Sequence, residues 1–360
     1  MNSNVAVIGA GSWGTALATV LADNEHNVKI WTRRQKQADE INNSHTNTKY
    51  LPGFALPHAI QASNDLAWCT EDAKYVLLVV PTKAIRDTVT QLKPYVKDYN
   101  ILIHASKGIE PGTSKRISEM MEEELDEKKG EATVVLSGPS HAEEVCERQP
   151  TTVTVSSHAA QAAEQVQELF MNNNFRVYTN QDLIGVEIGG ALKNIIALGI
   201  GLTEGLGYGD NAKAALMTRG LAEIARLGIK LGANPLTFTG LSGLGDLIVT
   251  CTSQHSRNWR TGYKLGMGKN LENVLDEMGM VVEGVRTTKA VKELSNRLKV
   301  EMPITEALFE VLFNEKKPEA AAHQLMGRVR KHEVENVSLL LGPDFQEKWQ
   351  EKSWSPNDNE

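Results

Sequence analysis

Cysteine is scarce in this chain. The three present among 360 residues, Cys69, Cys146 and Cys251, are odd in number and far apart. None forms a C-x-x-C pair, which argues against a disulfide framework or a thiolate zinc site and favours a reducing compartment. No metal-ligand spacing appears elsewhere, so no metal is expected. Long hydrophobic runs are also missing. The longest apolar stretch, near Ile195–Leu202, is too short and too rich in glycine to span a bilayer. At the N-terminus, Met-Asn-Ser-Asn leads directly into Val-Ala-Val-Ile, with no basic segment before an apolar one. No signal peptide is expected, and the cytoplasm is the default location. Positive charge is in deficit: 38 Lys and Arg against 45 Asp and Glu give a net −7. That balance argues against nucleic acid or an anionic membrane as partner, but it permits a small local anion site. Repeats and low-complexity tracts are absent.

The remainder is an ordinary globular composition, 41% apolar and 23% charged. The length suggests two domains. We expect an α/β fold: a Rossmann-type doubly wound sheet domain over residues 1–182, then an all-helical substrate domain over 183–336. A tail, 337–360, is expected to be partly disordered.

The first half alternates strands and helices. Val5–Ile8 reads as a short buried strand, Thr15–Leu21 as a helix and Val28–Thr32 as a second strand. The turn between the first strand and the helix is Gly9-Ala-Gly11-Ser12-Trp13-Gly14, a G-x-G-x-x-G in its proper β-α-β setting. Gly9 would allow the tight turn, Gly11 the approach of a pyrophosphate, and Gly14 close packing of helix on strand. The helix N-terminus would offer free N–H groups and its positive dipole to the phosphates. After the second strand, where an NAD site usually carries an acid, the sequence has Arg33 and Arg34. Guanidinium groups suit a ribose 2′-phosphate, so NADP(H) is the expected cofactor, with NAD(H) also accommodated. Further strands are read at Tyr75–Val80, Ile101–Ala105, Thr133–Leu136, Thr151–Ser156 and Arg176–Thr179. Ligands of such sheets lie beyond the carboxyl ends of the strands. Lys107, Gly138 and Ser140 fall there.

Beyond residue 183 helical periods take over, with Gly232 and Pro235 stopping one helix and Pro303 and Pro318 each opening another. The segment from Ile184 to Leu202 reads as a helix buried nearly all round, yet it holds Gly189, Gly190, Gly199 and Gly201. Interior glycine costs a helix about 0.5–1 kcal/mol each, so something must approach that backbone closely. The same segment carries Lys193. A desolvated lysine has a lowered pKa suited to proton transfer, with Asn194 and Glu187 as candidate partners. A buried stem with the amine reaching water is the alternative. Gly240–Asp246 reads as a glycine-rich turn ending in an acid, with Asp246 suited to accept from a hydroxyl or to orient a lysine. Ser256, Arg257 and Asn258 group a hydroxyl, a guanidinium and an amide suited to a phosphate.

Taken together, GAGSWGTALA (Gly9–Ala18), SKGIE (Ser106–Glu110), SGPSHAEEV (Ser137–Val145), GGALKNIIALGIG (Gly189–Gly201), GLSGLGDLIVTC (Gly240–Cys251), SRN (Ser256–Asn258) and EGVRT (Glu283–Thr287) resemble the soluble bacterial NAD(P)-dependent glycerol-3-phosphate dehydrogenases. The motifs run in order through nearly the whole chain. The resemblance implies reversible hydride transfer between NADPH and C2 of dihydroxyacetone phosphate, giving sn-glycerol 3-phosphate for phospholipid synthesis. It implies a cofactor site of Ser12, Trp13, Arg33, Arg34, Lys107, Ala142, Arg257, Val281 and Glu283. Gly138, Ser140, Asp246, Ser256, Arg257 and Asn258 would bind substrate with Lys107 and Lys193. Lys193 would be the proton donor, with Lys107 and Asp246 orienting the reacting oxygen. A related reductase of the 3-hydroxyacid or 6-phosphogluconate dehydrogenase type would share the fold, but its carboxylate substrate explains the Ser256–Asn258 group less well. A non-catalytic NADP sensor would need Gly9–Gly14 but not Lys193 or Asp246. An apolar helical domain would also suit a homodimer.

Overall fold

A computed structural model of the chain describes residues 2–125, 130–279 and 281–329. The expected tail therefore lies outside the described residues. Strands β1 (Asn4–Ile8), β2 (Asn27–Trp31), β3 (Thr46–Asn47), β4 (Leu51–Ala55), β5 (Ile60–Ser63), β6 (Tyr75–Leu78), β7 (Ile101–His104), β8 (Ala132–Ser137), β9 (Thr151–Ser156) and β10 (Phe175–Asn180) build the first half. Eight of them form one sheet in the order β10-β9-β8-β7-β6-β1-β2-β5, while β3 and β4 make a separate antiparallel pair. Helices cover both faces. Accordingly β6 and β7 are buried at every residue, as parallel strands covered on two sides must be. The edge strand β10 alternates buried Phe175 and Val177 with exposed Arg176 and Tyr178.

The chain places β2 and β5 to one side of β1, and β6, β7 and β8 to the other. The strand order thus reverses beside β1, which opens a crevice at the carboxyl ends. Within the eight-stranded sheet all pairings are parallel except one: β9 runs antiparallel to β8, and β10 follows β9. Alternation alone did not distinguish this reversal. The pair β3–β4 and the strand β5 were also not anticipated, because Leu51–Ala55 contains Pro52 and Gly53 and is largely exposed.

The second half is helical among the described residues. Its axis is the helix Leu183–Gly205, capped by Asp182, whose side chain accepts from the Gly185 amide at 2.9 Å. By length and composition this helix could cross a membrane, but 94% of its most apolar stretch is buried inside the protein. The helices Asp210–Lys230, Asp246–Thr252, Arg257–Gly266, Glu283–Leu298 and Pro303–Phe313 surround it. Leu192, Ile195, Ile196, Leu198 and Ile200 supply its contribution to the helical core. Pro303 and Pro318 stand at the first turns of their helices, as expected.

Candidate active site

The glycine turn behaves as its spacing predicts. Gly9 has φ +123°, and a Cβ there would lie 2.4 Å from the Val79 carbonyl oxygen. At Gly14 a Cβ would meet the Gly9 carbonyl oxygen at 1.9 Å. Gly11 differs: nothing lies within 4 Å of its would-be Cβ. That open position sits before the helix Ser12–Asp23, whose first amides have no partner within the helix. Open space in front of unpartnered amides is what a pyrophosphate held by backbone would need. The Ser12 hydroxyl is already engaged, donating to the Tyr50 carbonyl at 2.7 Å. Trp13 packs against the sheet core.

Beyond β2 the two arginines differ. Arg34 donates to Gln37 Oε1 at 2.8 Å, and its guanidinium lies 5.6 Å from the Tyr50 ring centre. Gln37 in turn donates to the Ala10 carbonyl at 2.6 Å, tying this corner to the glycine turn. Arg33 is exposed and makes no hydrogen bond or ion pair with the described residues. Tyr50 was not anticipated, because its segment carries no strand or helix period.

The candidate reacting centre is assembled from four segments. Asp246, fully buried, receives two lysines. Lys107, just past β7, donates to Asp246 Oδ2 at 2.6 Å and to the Gly138 carbonyl at 3.2 Å. Lys193, from the long helix, pairs with Asp246 Oδ1 and donates to Thr250 Oγ1 at 2.7 Å. The Thr250 hydroxyl gives its own proton to the Asp246 carbonyl at 2.6 Å, so toward Lys193 it can only accept. The candidate partners on Lys193's own helix prove wrong. Glu187 binds Arg116 and Ser118, and Asn194 accepts from Asn258 at 2.8 Å. The true partners are 53 and 57 positions away in sequence, out of reach of a local reading. Burial is the largest influence on Lys193 and lowers its pKa to about 7, assisted by repulsion from Lys107 and opposed by Asp246. At 6% exposed it is a buried residue whose amine is held by Asp246 and Thr250, not a surface lysine with only its stem buried.

Asp246 reaches this position through an unexpected element. The segment read as a glycine-rich turn is a single π-helical turn, Leu241–Gly245, running directly into the helix Asp246–Thr252. A Cβ at Gly243 would lie 2.2 Å from the Phe238 carbonyl oxygen. Such turns commonly mark functional sites.

Ser140 stands beside the centre, donating to the Gly138 carbonyl at 3.0 Å. Gly138 itself adopts φ +146°. Ala142 is buried at the start of the helix Ala142–Cys146. On the other side, Ser256 caps the helix Arg257–Gly266 by accepting from the Trp259 amide at 3.2 Å. Asn258 accepts from the Gly284 amide at 2.8 Å, and Arg257 donates to the Val281 carbonyl at 3.3 Å. Glu283 crosses between the halves, accepting from the Thr82 amide at 3.1 Å, and burial pushes its carboxyl up. The glycines of the long helix explain how Asn258 comes so close to Asn194. A Cβ at Gly201 would stand 2.0 Å from the Trp259 carbonyl oxygen, and one at Gly262 the same distance from the Leu198 oxygen. The two helices touch backbone to backbone. Gly189 likewise admits the Ser242 carbonyl and Gly190 the Ser137 hydroxyl.

The arrangement offers an anion-accepting helix start, an oriented amine of near-neutral pKa, and a guanidinium with amides at one end. Those are the parts of a nicotinamide-dependent reductase acting on a small phosphorylated ketone. Relatives agree with that reading. Residues 4–163 match the family described as NAD-dependent glycerol-3-phosphate dehydrogenase N-terminus, and residues 182–323 match its C-terminus. A Bacillus thuringiensis protein named glycerol-3-phosphate dehydrogenase [NAD(P)+] is 64% identical over 94% of this chain and its own full length. The crystal structure of glycerol-3-phosphate dehydrogenase from Coxiella burnetii superposes with a TM-score of 0.87 at 37% identity, covering 91% of this chain and 99% of that one. The Saccharomyces cerevisiae enzyme gives 0.78 at 30% identity, over 90% and 99%. The chain belongs to the NAD(P)-dependent glycerol-3-phosphate dehydrogenases.

Proposed function

We propose that this chain reduces dihydroxyacetone phosphate to sn-glycerol 3-phosphate with NADPH, reversibly, and that Lys193 is the proton donor. The shared carboxylate carries this reading: one buried Asp246 holds two lysines, of which Lys193 is the more enclosed. The bound nicotinamide supplies hydride to C2 of the ketone. Lys193 as an ammonium stabilises the charge developing on the C2 oxygen and gives it a proton. Asp246 aims the Lys193 amine, and Thr250 fixes its remaining direction. Lys107 touches both cofactor and substrate, and with Gly138 and Ser140 it lines the reacting end. Arg257, Asn258 and Ser256 bind the phosphate, whose binding energy positions the carbonyl. Because the Ser256 hydroxyl already accepts as a helix cap, it serves the phosphate as a donor.

On the cofactor side, the amides after Gly11 take the pyrophosphate, with Ser12 and Trp13 alongside. Arg33 and Arg34 take the 2′-phosphate, Arg34 from a fixed position and Arg33 as the free arm. Ala142, Arg257, Val281 and Glu283 close over the nicotinamide end. Glycine geometry at Gly9, Gly11 and Gly14 supports a dinucleotide. The domain boundary falls at Asp182, the cap of the long helix, and the substrate domain runs to about 336. We assign the enzyme to the cytoplasm and to phospholipid synthesis, acting without nucleic-acid or integral membrane contact. A homodimer would cover Leu236 and Ile248, 67% and 45% exposed on the helical half.

One assay tests the function: oxidation of NADPH with dihydroxyacetone phosphate, against 2-keto and 3-keto acids. Turnover with a keto acid but not with the phosphorylated ketone would refute it.

A further inference from the structure

The long helix meets the sheet half at a second buried charge cluster, one that touches no substrate-facing group. Glu187 is 7% exposed. Its Oε1 accepts from the Ser118 amide at 2.8 Å and lies 3.2 Å from His104 Nε2. Its Oε2 accepts from the Ser118 hydroxyl at 2.7 Å and pairs with Arg116. Arg116 also donates to the Ser118 hydroxyl at 2.9 Å, which closes the network. Burial alone would raise the Glu187 carboxyl. The contacts with His104 and Arg116 and the Ser118 amide outweigh it and hold the group at about 2. It is therefore a carboxylate at every working pH.

All of these donors come from the sheet half, and Glu187 comes from the helical half. The placement along both halves matters. His104 ends β7, and Lys107 follows three residues later. Glu187, Gly190 and Lys193 form one row at three-residue spacing on the long helix. At the middle of that row a Cβ on Gly190 would stand 2.7 Å from Ser137 Oγ and 3.6 Å from Lys107 Cγ. So Glu187 grips the base of the loop that delivers Lys107, while Lys193 shares Asp246 with the tip of that loop.

We propose that Glu187 is a positioning residue for the lysine pair: through Arg116 and Ser118, and beside His104, it ties the segment that follows β7 to the long helix and thereby sets the distance of Lys107 from the Asp246–Lys193 contact. This rests on the reading of Lys193 as the proton donor. Releasing the lock draws Lys107 off Asp246, which removes a repulsion from Lys193 and leaves it the whole carboxylate. The charged and titratable groups facing Lys193 are Asp246, Lys107, His141 and Cys251, and only Lys107 changes place.

The test is Glu187→Gln, nearly the same shape without the charge. The expected results are a kcat for ketone reduction lower by about ten- to a hundredfold and a falling limb of the pH–rate profile displaced to higher pH. A merely structural role would lower the Tm and leave the limb where it was. A folded variant with wild-type kcat and an unmoved limb overturns the proposal. Should Glu187→Gln not fold, Ser118→Ala removes one donor and leaves the charges; it should move the limb the same way by less, and an unmoved limb there overturns the proposal equally. Lys193→Ala separates the two readings. Near-normal turnover in that variant sinks the proton donor itself, whereas a dead Lys193→Ala beside an unaltered Glu187→Gln sinks only the positioning role.

Discussion

The two halves of this enzyme offer their proposed ligands different means. The sheet half offers backbone at its turn, with Arg33, Arg34 and Lys107 as the proposed side chains around it. Its proposed pyrophosphate site is a strand end, a glycine turn and the amides of a helix start, and Gly11 contributes only the absence of a side chain. The helical half offers side chains standing on buried helices, and its glycines serve packing. At Gly11 a Cβ would enter open space; at Gly262 it would enter the Leu198 carbonyl oxygen at 2.0 Å. The same residue type thus has separable uses, and substitution should separate them.

The largest expected effect belongs to Lys193, the proposed proton donor. Lys193→Ala should lower kcat by about a hundred- to ten-thousandfold, the usual share of a general acid, while NADPH binding followed by fluorescence stays close to normal. Next comes the glycine contrast. Gly262→Ala should cost about 1–3 kcal/mol of stability by overpacking two helix backbones, read as a lower Tm, with activity falling as Asn258 shifts. Gly11→Ala should leave the Tm unchanged and weaken both NADPH and NADH. If Gly11→Ala unfolds the protein, or Gly262→Ala does not destabilise it, the contrast fails.

Rates should also follow pH in opposite senses in the two directions. Ketone reduction needs the Lys193 ammonium, so it should decline as pH rises through about 7; alcohol oxidation needs the free amine and should increase over the same interval. Parallel profiles in both directions would break the assignment. Replacing Arg33 and Arg34 by alanine should raise the KM for NADPH far more than that for NADH, with Arg34→Ala also loosening Tyr50. An equal rise for both cofactors would remove the 2′-phosphate from the picture.

The smallest effect concerns stability alone. Glu223 is buried and accepts from the amides of Ile304 and Thr305 at 2.6 and 3.3 Å, and burial raises its pKa to about 7. A carboxyl whose folded pKa exceeds its unfolded one stabilises the fold most at low pH, and the contribution fades as pH climbs through the folded value. Glu223→Gln should flatten that part of the Tm–pH curve.

What the sequence disclosed divides along the same line. Gly9, Gly11 and Gly14 act locally, and their spacing within a β-α-β unit is enough to assign each a task. Lys107, Gly138 and Ser140 were legible because parallel strands bring their carboxyl ends to one edge. Buried glycines in the long helix announced a close neighbour without naming it. The contact of Lys193 with Asp246 was legible only in part: Asp246 read as an acid able to orient a lysine, but which lysine is decided in space, as is the part of Thr250, while Glu187 and Asn194 are merely near in sequence. Tyr50 escaped notice because its segment has no period to read. The π-helical turn before Asp246 looked like a loop because glycine argues for turns, although here glycine makes room for a carbonyl.

The reversed strand has a consequence for the route of the chain. Had β9 and β10 run with the others, the chain would leave the sheet at the ligand edge, and the next helix would carry its lysine away. With both strands inverted, the chain departs from the opposite edge. The helix beginning at Leu183 then travels back along β8, past Val135, and reaches Ser137 at Gly190. Ten residues from its start, or about 15 Å of rise, it delivers Lys193 to the mouth of the crevice. One change of strand direction turns an outgoing path into a return journey, and the Lys193 amine arrives beside Asp246 by the length of the helix alone.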